Sequence, residues 1–479
     1  MVKRQKSNKN SKEKRMKLLN LSLLTALLAV GCTENNSDNK TTIQDRSPKT
    51  TSLKTKNYFT ECKSKMAFMR PIEGMSNEEK DQFVLGKSFY RTPWVEAPSA
   101  TTARDGLGPL FNANTCMHCH PKNGAGVAIN ADGSMTRSHL IRISHQTSTN
   151  KELLEKVGFE PDSTYGAQLS VNGNHQVPAE GVPVVTYSEI NGTYPDGTLY
   201  SLRSPTYHIE NLGYGAMDSD TIVVPRIGSA LIGLGQLELI SDADLLAHED
   251  IDDKDGDGIS GKANLAYSPE INATMIGRFT WKASATSVKH QSANAAHNDM
   301  GLSNPIHPKH NCTDKQAECL KADEGVYEFD LPDNRLSAIA YYLKNLAIPL
   351  PREPQKHKEG AKLFESLNCT ACHVPSFKTA GGVTISPYSD LLLHDMGEGL
   401  ADGRREFLAT GSEWRTAPLW GIGLYKKVSG EANFLHDGRA RSVEEAILWH
   451  GGEAKKSKDD FMALDRKSRD KVIGFLNSI

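Results

Sequence analysis

Two segments dominate the chemistry available to this chain: Cys116-Met117-His118-Cys119-His120 and Cys369-Thr370-Ala371-Cys372-His373. Paired thiols followed at once by an imidazole form the attachment signature of haem c. The thiols add to the two vinyl groups as thioethers, and the adjacent histidine falls close enough to the ring to ligate iron. His120 and His373 are therefore the expected proximal ligands of two covalent haems. Zinc is a poor rival, because there is no further Cys-x-x-Cys pair to complete a tetrahedral site.

Other residues could serve that chemistry. Trp281, in Gly277-Arg278-Phe279-Thr280-Trp281-Lys282-Ala283, is a candidate bridge for electrons between the haems. His139, His145 and His175 could be displaceable ligands. Asp253, Asp255 and Asp257, in Asp253-Lys254-Asp255-Gly256-Asp257-Gly258, place oxygens at positions one, three and five of a turn with glycine at six. That pattern suits calcium, but Asn264 stands where an EF-hand needs glutamate. Cys312 and Cys319 are expected to form a local disulfide, leaving Cys62 over.

Each haem motif needs elements to hold it. Ser76-Asn77-Glu78-Glu79 is a capping box opening a helix that carries Phe83, Val84, Gly86 and Phe89. Ahead of the second motif, Gly360, Leu363 and Phe364 fall on one helical face. A helix with glycine and an aromatic residue, followed by a loop and the motif, is thus repeated. A helix from Arg335 to Leu346 separates the units. Ser442-Val443-Glu444-Glu445 caps a helix running to His450, and a last helix starts near Arg466. Residues 121–330 are rich in Gly, Pro and Asn, with short strands at 182–186 and 221–224, and Pro183 requires a sheet edge. The expected fold is mainly α, with two cytochrome c-like haem domains at 76–345 and 346–479. The first carries a long insertion of loops and short strands.

The N-terminus bears on compartment. Eight basic residues and one acid precede or flank an apolar run from Leu18 to Val30, too short to span a membrane comfortably. It ends Ala29-Val30-Gly31-Cys32, which resembles a lipobox. Residues 1–31 are read as a lipoprotein-type signal peptide and 32–75 as a flexible tether, the Asn/Ser/Thr/Lys-rich stretch from Thr33 to Asn57 having little to bury. A lipid on Cys32 would anchor the protein in the periplasm, at the outer membrane. Loss of the leader lowers the formal charge from −2 to −9, which argues against nucleic acid as a partner.

The two motifs, with Arg104-Asp105-Gly106-Leu107-Gly108-Pro109-Leu110-Phe111-Asn112-Ala113, Trp414-Arg415-Thr416-Ala417-Pro418-Leu419-Trp420 and Leu435-His436-Asp437-Gly438-Arg439, resemble the di-haem oxidoreductases described as peroxidases or thiol oxidoreductases. That group is related to bacterial di-haem cytochrome c peroxidase and to MauG-type enzymes. The resemblance spans about 76–479. It implies one haem with two axial ligands for electron transfer and another that meets peroxide. Where these relatives carry methionine or tyrosine fourteen residues after the histidine of His-Asp-Gly, this chain has His450. A bis-histidine haem, His373 with His450, is implied, with Met396 as the other candidate. His436 and Arg439 are expected beside the second haem. Gln168 and Glu180 resemble the paired distal residues of MauG-type enzymes, Glu180 as acid/base. The expected activity is reduction of hydrogen peroxide by electrons from a small cytochrome c or cupredoxin-like donor entering at the C-terminal haem. The alternatives are MauG-like oxidation of a protein or metal-bound substrate, and a non-catalytic electron carrier. The thiol activity has no support in the residues, since both Cys-x-x-Cys pairs belong to haem motifs.

Overall fold

The computed structural model describes residues 56–479. The proposed signal peptide, Cys32 and the polar stretch before residue 56 lie outside the described residues. Among the described residues no helix is long and apolar enough to cross a membrane.

Helix α1, Asn77–Arg91, starts at the expected capping box: Ser76 accepts from the Glu79 amide, and the Glu79 side chain returns to the Ser76 amide. The first haem motif forms a single turn, α2, Cys116–Cys119. Strand β1, His139–His145, follows, then a long hairpin of β2, Val182–Thr193, and β3, Leu199–Glu210, and then β4, Thr221–Ile227. Helix α3 is Val288–Met300 and α4 is Asp333–Lys344. Helix α5, Lys358–Ser366, leads into the second motif. A short pair, β5, Leu393–Asp395, and β6, Glu413–Arg415, precedes α6, Val443–Leu448, and α7, Arg466–Leu476.

The mainly-α expectation is wrong. The protein is 28% helix and 19% strand, and its described sheets are all two-stranded. The middle of the chain accounts for the error. β2 and β3 pair over twelve residues, from Val182 with Glu210 to Thr193 with Leu199, where the sequence suggested only a five-residue strand. Alternation of Val, Thr, Tyr and Ile with polar residues favours strands, but the Glu, Ser and Asn between them hid the length. β1 and β4 pair over seven residues. Pro183 sits in a two-stranded ribbon opposite Ile209, where both strands are edge strands and proline is tolerated.

The tether also ends earlier than residue 75. Phe59 and Thr60 pair with Ile348 and Pro349, and Ala67 and Phe68 are wholly buried. The apolar residues of this segment join the core with α1 and α4.

One close approach recurs. A Cβ on Gly86 would lie 1.9 Å from the Ala338 carbonyl oxygen, so α1 seats against the backbone of α4. A Cβ on Gly360 would lie 2.1 Å from the Lys471 oxygen, so α5 seats against α7 in the same manner. In each half the helix before a haem motif thus crosses a later helix at a glycine.

Candidate haem cavity

Both motifs open onto one cavity of about 820 Å³, lined by Cys116, His120, Cys369, Cys372, His373 and His450. The Cys116, Cys119, Cys369 and Cys372 sulfurs form no disulfides. Cys312 and Cys319, by contrast, are bonded to each other, and Cys62 is buried with its sulfur 3.3 Å from Ser64 Oγ.

Three lining histidines share one arrangement. His120 Nδ1 donates to the Ser229 carbonyl at 2.8 Å, His373 Nδ1 to Tyr388 at 2.8 Å, and His450 Nδ1 to Ala446 at 2.7 Å. A backbone acceptor on Nδ1 fixes the tautomer and leaves Nε2 as a bare lone pair, the form a metal takes. Burial pushes His120 and His373 down to about 4 and lowers His450 as well, so protons do not compete for Nε2 at neutral pH. Reduced thiol pairs, bare imidazoles and a largely apolar enclosure together fit haem.

The two motifs differ in what faces them. His450 is close enough to His373 for its charge to contribute to the lowered pKa there. Behind the His120 shift stand only burial and the Ser229 carbonyl, which opposes it. His450 reaches its position because Ser442 caps α6 by accepting from the Glu445 amide, and the helix stops at Leu448.

Trp281 also lines the cavity, and its hydrogen bonds reach segments a few residues from the partners of both proximal histidines. Its indole donates to the Ile227 carbonyl at 2.8 Å, two residues before Ser229. Its own carbonyl accepts from the Arg415 amide at 2.9 Å. The next residue, Thr416, accepts from Ser389 Oγ at 2.6 Å, and Ser389 follows Tyr388, the His373 partner.

Other expected residues are placed differently. His436 lines the cavity, stacked on Trp414 with ring centroids 3.8 Å apart, and burial drives it down to about 3. Arg439 is absent from the cavity wall. Its guanidinium goes to Asp437 at 2.7 Å and the Gly399 carbonyl at 2.7 Å, and lies over Trp449, so it braces the residue next to His450. Met396 is in the wall.

Glu180 does not reach the cavity. Its carboxylate accepts from the Ser170 amide at 2.5 Å and from Gln316 Nε2 at 2.6 Å, and burial pushes it up to about 7. Gln168 reaches the wall indirectly, its amide donating to Asp299 Oδ1 at 2.9 Å. His139 is held by the Ala128 carbonyl and Tyr207, His145 by Asp218 and Asp220, and His175 by Glu96. None of the three lines the cavity.

In the acidic loop the carboxylates that converge are Asp250, Asp253 and Asp255, with Asp257 turned to the Ile259 amide. Backbone amides already occupy this set, Lys254 and Asp255 on Asp250 and Gly258 on Asp253.

Sequence reasoning missed Asp299 and a charged cluster around Trp414. Lys282, with no accessible surface, puts Nζ 4.0 Å from the Trp414 ring centroid, and Arg226 lies at 4.8 Å. Asp402 neutralises both, 2.6 Å from Arg226 and 3.6 Å from Lys282. These residues are scattered from 226 to 414, and no local spacing betrays them.

A cavity reached by two reduced thiol pairs and lined by His120, His373 and His450 carries the donor set of a haem redox protein. The chain matches the family described as "Di-haem oxidoreductase, putative peroxidase" over residues 48–479, and it belongs to that family. It is a di-haem oxidoreductase. No curated protein matches it. Among solved structures it is similar to a chain of Kuenenia stuttgartiensis hydrazine synthase pressurised with xenon, at 10% identity and a TM-score of 0.33, covering 91% of this chain and 100% of that one.

Proposed function

We propose that the protein is an exported peroxidase that reduces hydrogen peroxide, with haem c bound covalently at Cys116/Cys119 and at Cys369/Cys372. The observation that carries this reading is the asymmetry of the two sites. His373 has His450 near it, so the C-terminal haem would be six-coordinate and confined to electron transfer. On the His120 side the wall instead carries the polar pair Asp299 and Arg142, groups of the kind peroxide chemistry uses. When bound, the haems supply the redox chemistry.

The chain's own residues do the rest. Ser229, Tyr388 and Ala446 carbonyls orient three imidazoles. Trp281 and the hydrogen bonds around it offer a route for electrons from the second haem to the first. Electrons would come from a small cytochrome c or cupredoxin-like protein. The basic leader, the short apolar run and Cys32 support a periplasmic, lipid-anchored location, and thioether attachment of haem requires export.

Stopped-flow absorbance of the haem-loaded protein tests the reading. Mixed with hydrogen peroxide from the oxidised and the half-reduced state, it is expected to show a fast Soret change with stoichiometric peroxide loss. No reaction in either state would leave an electron carrier.

A further inference from the structure

Peroxide cleavage needs a group that moves a proton from one oxygen to the other. The sequence offered Glu180, which the fold turns away from the cavity. The cavity wall holds two carboxyl groups among the described residues, Asp299 and Glu406. Glu406 is committed to cations: it pairs with Arg404 at 3.3 Å and Arg226 at 3.4 Å, which outweigh burial and hold it at about 2. It cannot take and return a proton near neutral pH.

Asp299 is built differently. It is enclosed by protein yet keeps accessible surface, and it lines the cavity. Oδ1 accepts from Gln168 Nε2 at 2.9 Å, while Oδ2 has no hydrogen-bond partner among the described residues. Its backbone oxygen accepts from the amides of Asn112 and Ala113, at 2.8 and 3.0 Å, just ahead of the first haem motif. Its charge acts on both Cys116 and Cys119. An isolated bridge pairs Arg142 with Gln168, placing both side chains on one face of the local strand pair. Burial raises the Asp299 pKa, opposed by the Arg142 charge and the Gln168 hydrogen bond.

We propose that Asp299, steadied by Gln168 and with Arg142 nearby, is the proton-transfer carboxyl of the N-terminal haem site. This inference rests on the peroxide reading. The overall change is H2O2 + 2 H+ + 2 e− → 2 H2O. The O–O bond breaks, and the two electrons come one at a time from the reduced donor protein. Asp299 takes the proton of the inner oxygen and gives it to the outer oxygen, which leaves as water. The remaining oxygen takes both protons from solvent, and Asp299 returns to its starting state.

The test uses the di-haem protein and its D299N, D299E and E180Q variants, with two measurements. The first is the bimolecular rate with peroxide against pH. The wild-type rate is expected to fall as pH drops through the Asp299 pKa. D299N is expected to lose about 10²–10³-fold and that acid limb, D299E to recover part, and E180Q to match wild type. The second is fluoride binding to the ferric protein, which involves no turnover. A carboxylate beside the bound anion must take up a proton, so affinity is expected to rise as pH falls in wild type and to lose that slope in D299N. A D299N protein that keeps the wild-type rate profile and fluoride slope overturns the Asp299 assignment alone. A wild-type protein that binds neither fluoride nor peroxide overturns the peroxide reading and this inference together.

Discussion

Replacing His450 tests the asymmetry on which the functional reading turns. Its imidazole is enclosed, its Nδ1 is spent on the Ala446 carbonyl 2.7 Å away, and burial keeps the ring neutral. Only Nε2 is left, and the cavity is what it lines. His450→Ala is expected to convert one haem from low-spin to high-spin in the ferric state and leave the other unchanged. Electron paramagnetic resonance and resonance Raman spectra read this directly. His450→Met keeps six ligands but exchanges imidazole for thioether, which raises the potential. Axial ligands set haem potentials over about 0.8 V, so a single exchange is worth on the order of 0.2 V. At about 59 mV per factor of ten for one electron, that is three to four decades against electron delivery. Redox titration should show one couple move upward and the other stay. If His450→Ala keeps its low-spin haem complement, the bis-histidine assignment fails. If Met396→Leu produces the spin change instead, Met396 is the ligand.

Three further outcomes follow from named contacts. Trp281→Phe removes the indole bond to Ile227 and is expected to slow transfer between the haems without changing either haem spectrum, read by the lag between the two Soret changes after mixing with reduced donor. Glu406, with a folded pKa of about 2 against an ordinary 4.5, contributes stability that is full above about 4.5 and lost as pH falls toward 2. Its worth is on the order of 3 kcal/mol, so urea unfolding of Glu406→Gln should show a lower midpoint at neutral pH and a smaller loss in acid. Gly86→Ala drives a methyl into the Ala338 carbonyl and is expected to cost about 2–3 kcal/mol, seen as a lower melting temperature with the C-terminal haem spectrum retained.

The parts of the site written locally were legible. The two motifs, the capping boxes at Ser76 and Ser442 and the glycine before each motif are short-range patterns with a physical cause, and α1 and α6 begin where the capping boxes place them. Residues 121–330 were legible only in part: the strands expected at 182–186 and 221–224 are present, but polar residues hid the length of the β2–β3 hairpin, and β1 finds its partner far along the chain. His139 with Ile227 is one such pair. Glu180 was misread for a related reason. It stands twelve residues from Gln168, and only the fold shows that Gln168 turns to Asp299 while Glu180 turns to Gln316. One signal for Asp299 was present. Val288–Met300 reads Val-Lys-His-Gln-Ser-Ala-Asn-Ala-Ala-His-Asn-Asp-Met, a thin stripe of Val288, Ala293, Ala296 and Met300 packed in the core among many polar residues. The polar side chains His290, His297 and Asp299 between those core residues line the cavity, and a polar group inside the protein needs a partner or a function.

Trp281 and Trp414, two of the four tryptophans in the cavity wall, are set up for different work. Trp414 lies under Lys282 and Arg226 on one side and against the His436 ring. Positive charge over an indole stabilises the neutral ring and therefore penalises loss of an electron from it. Trp281 has no cation over its ring among the described contacts, and its indole N–H points at a carbonyl dipole, which favours developing positive charge. An electron route that prefers one indole over the other would accordingly run through Trp281, with Trp414 serving to pack His436 in place. The same cluster explains why Asp402 and Glu406 are buried here: without them Arg226, Lys282 and Arg404 would sit uncompensated in the interior. Removing one member of such a set is far more costly than its net contribution suggests.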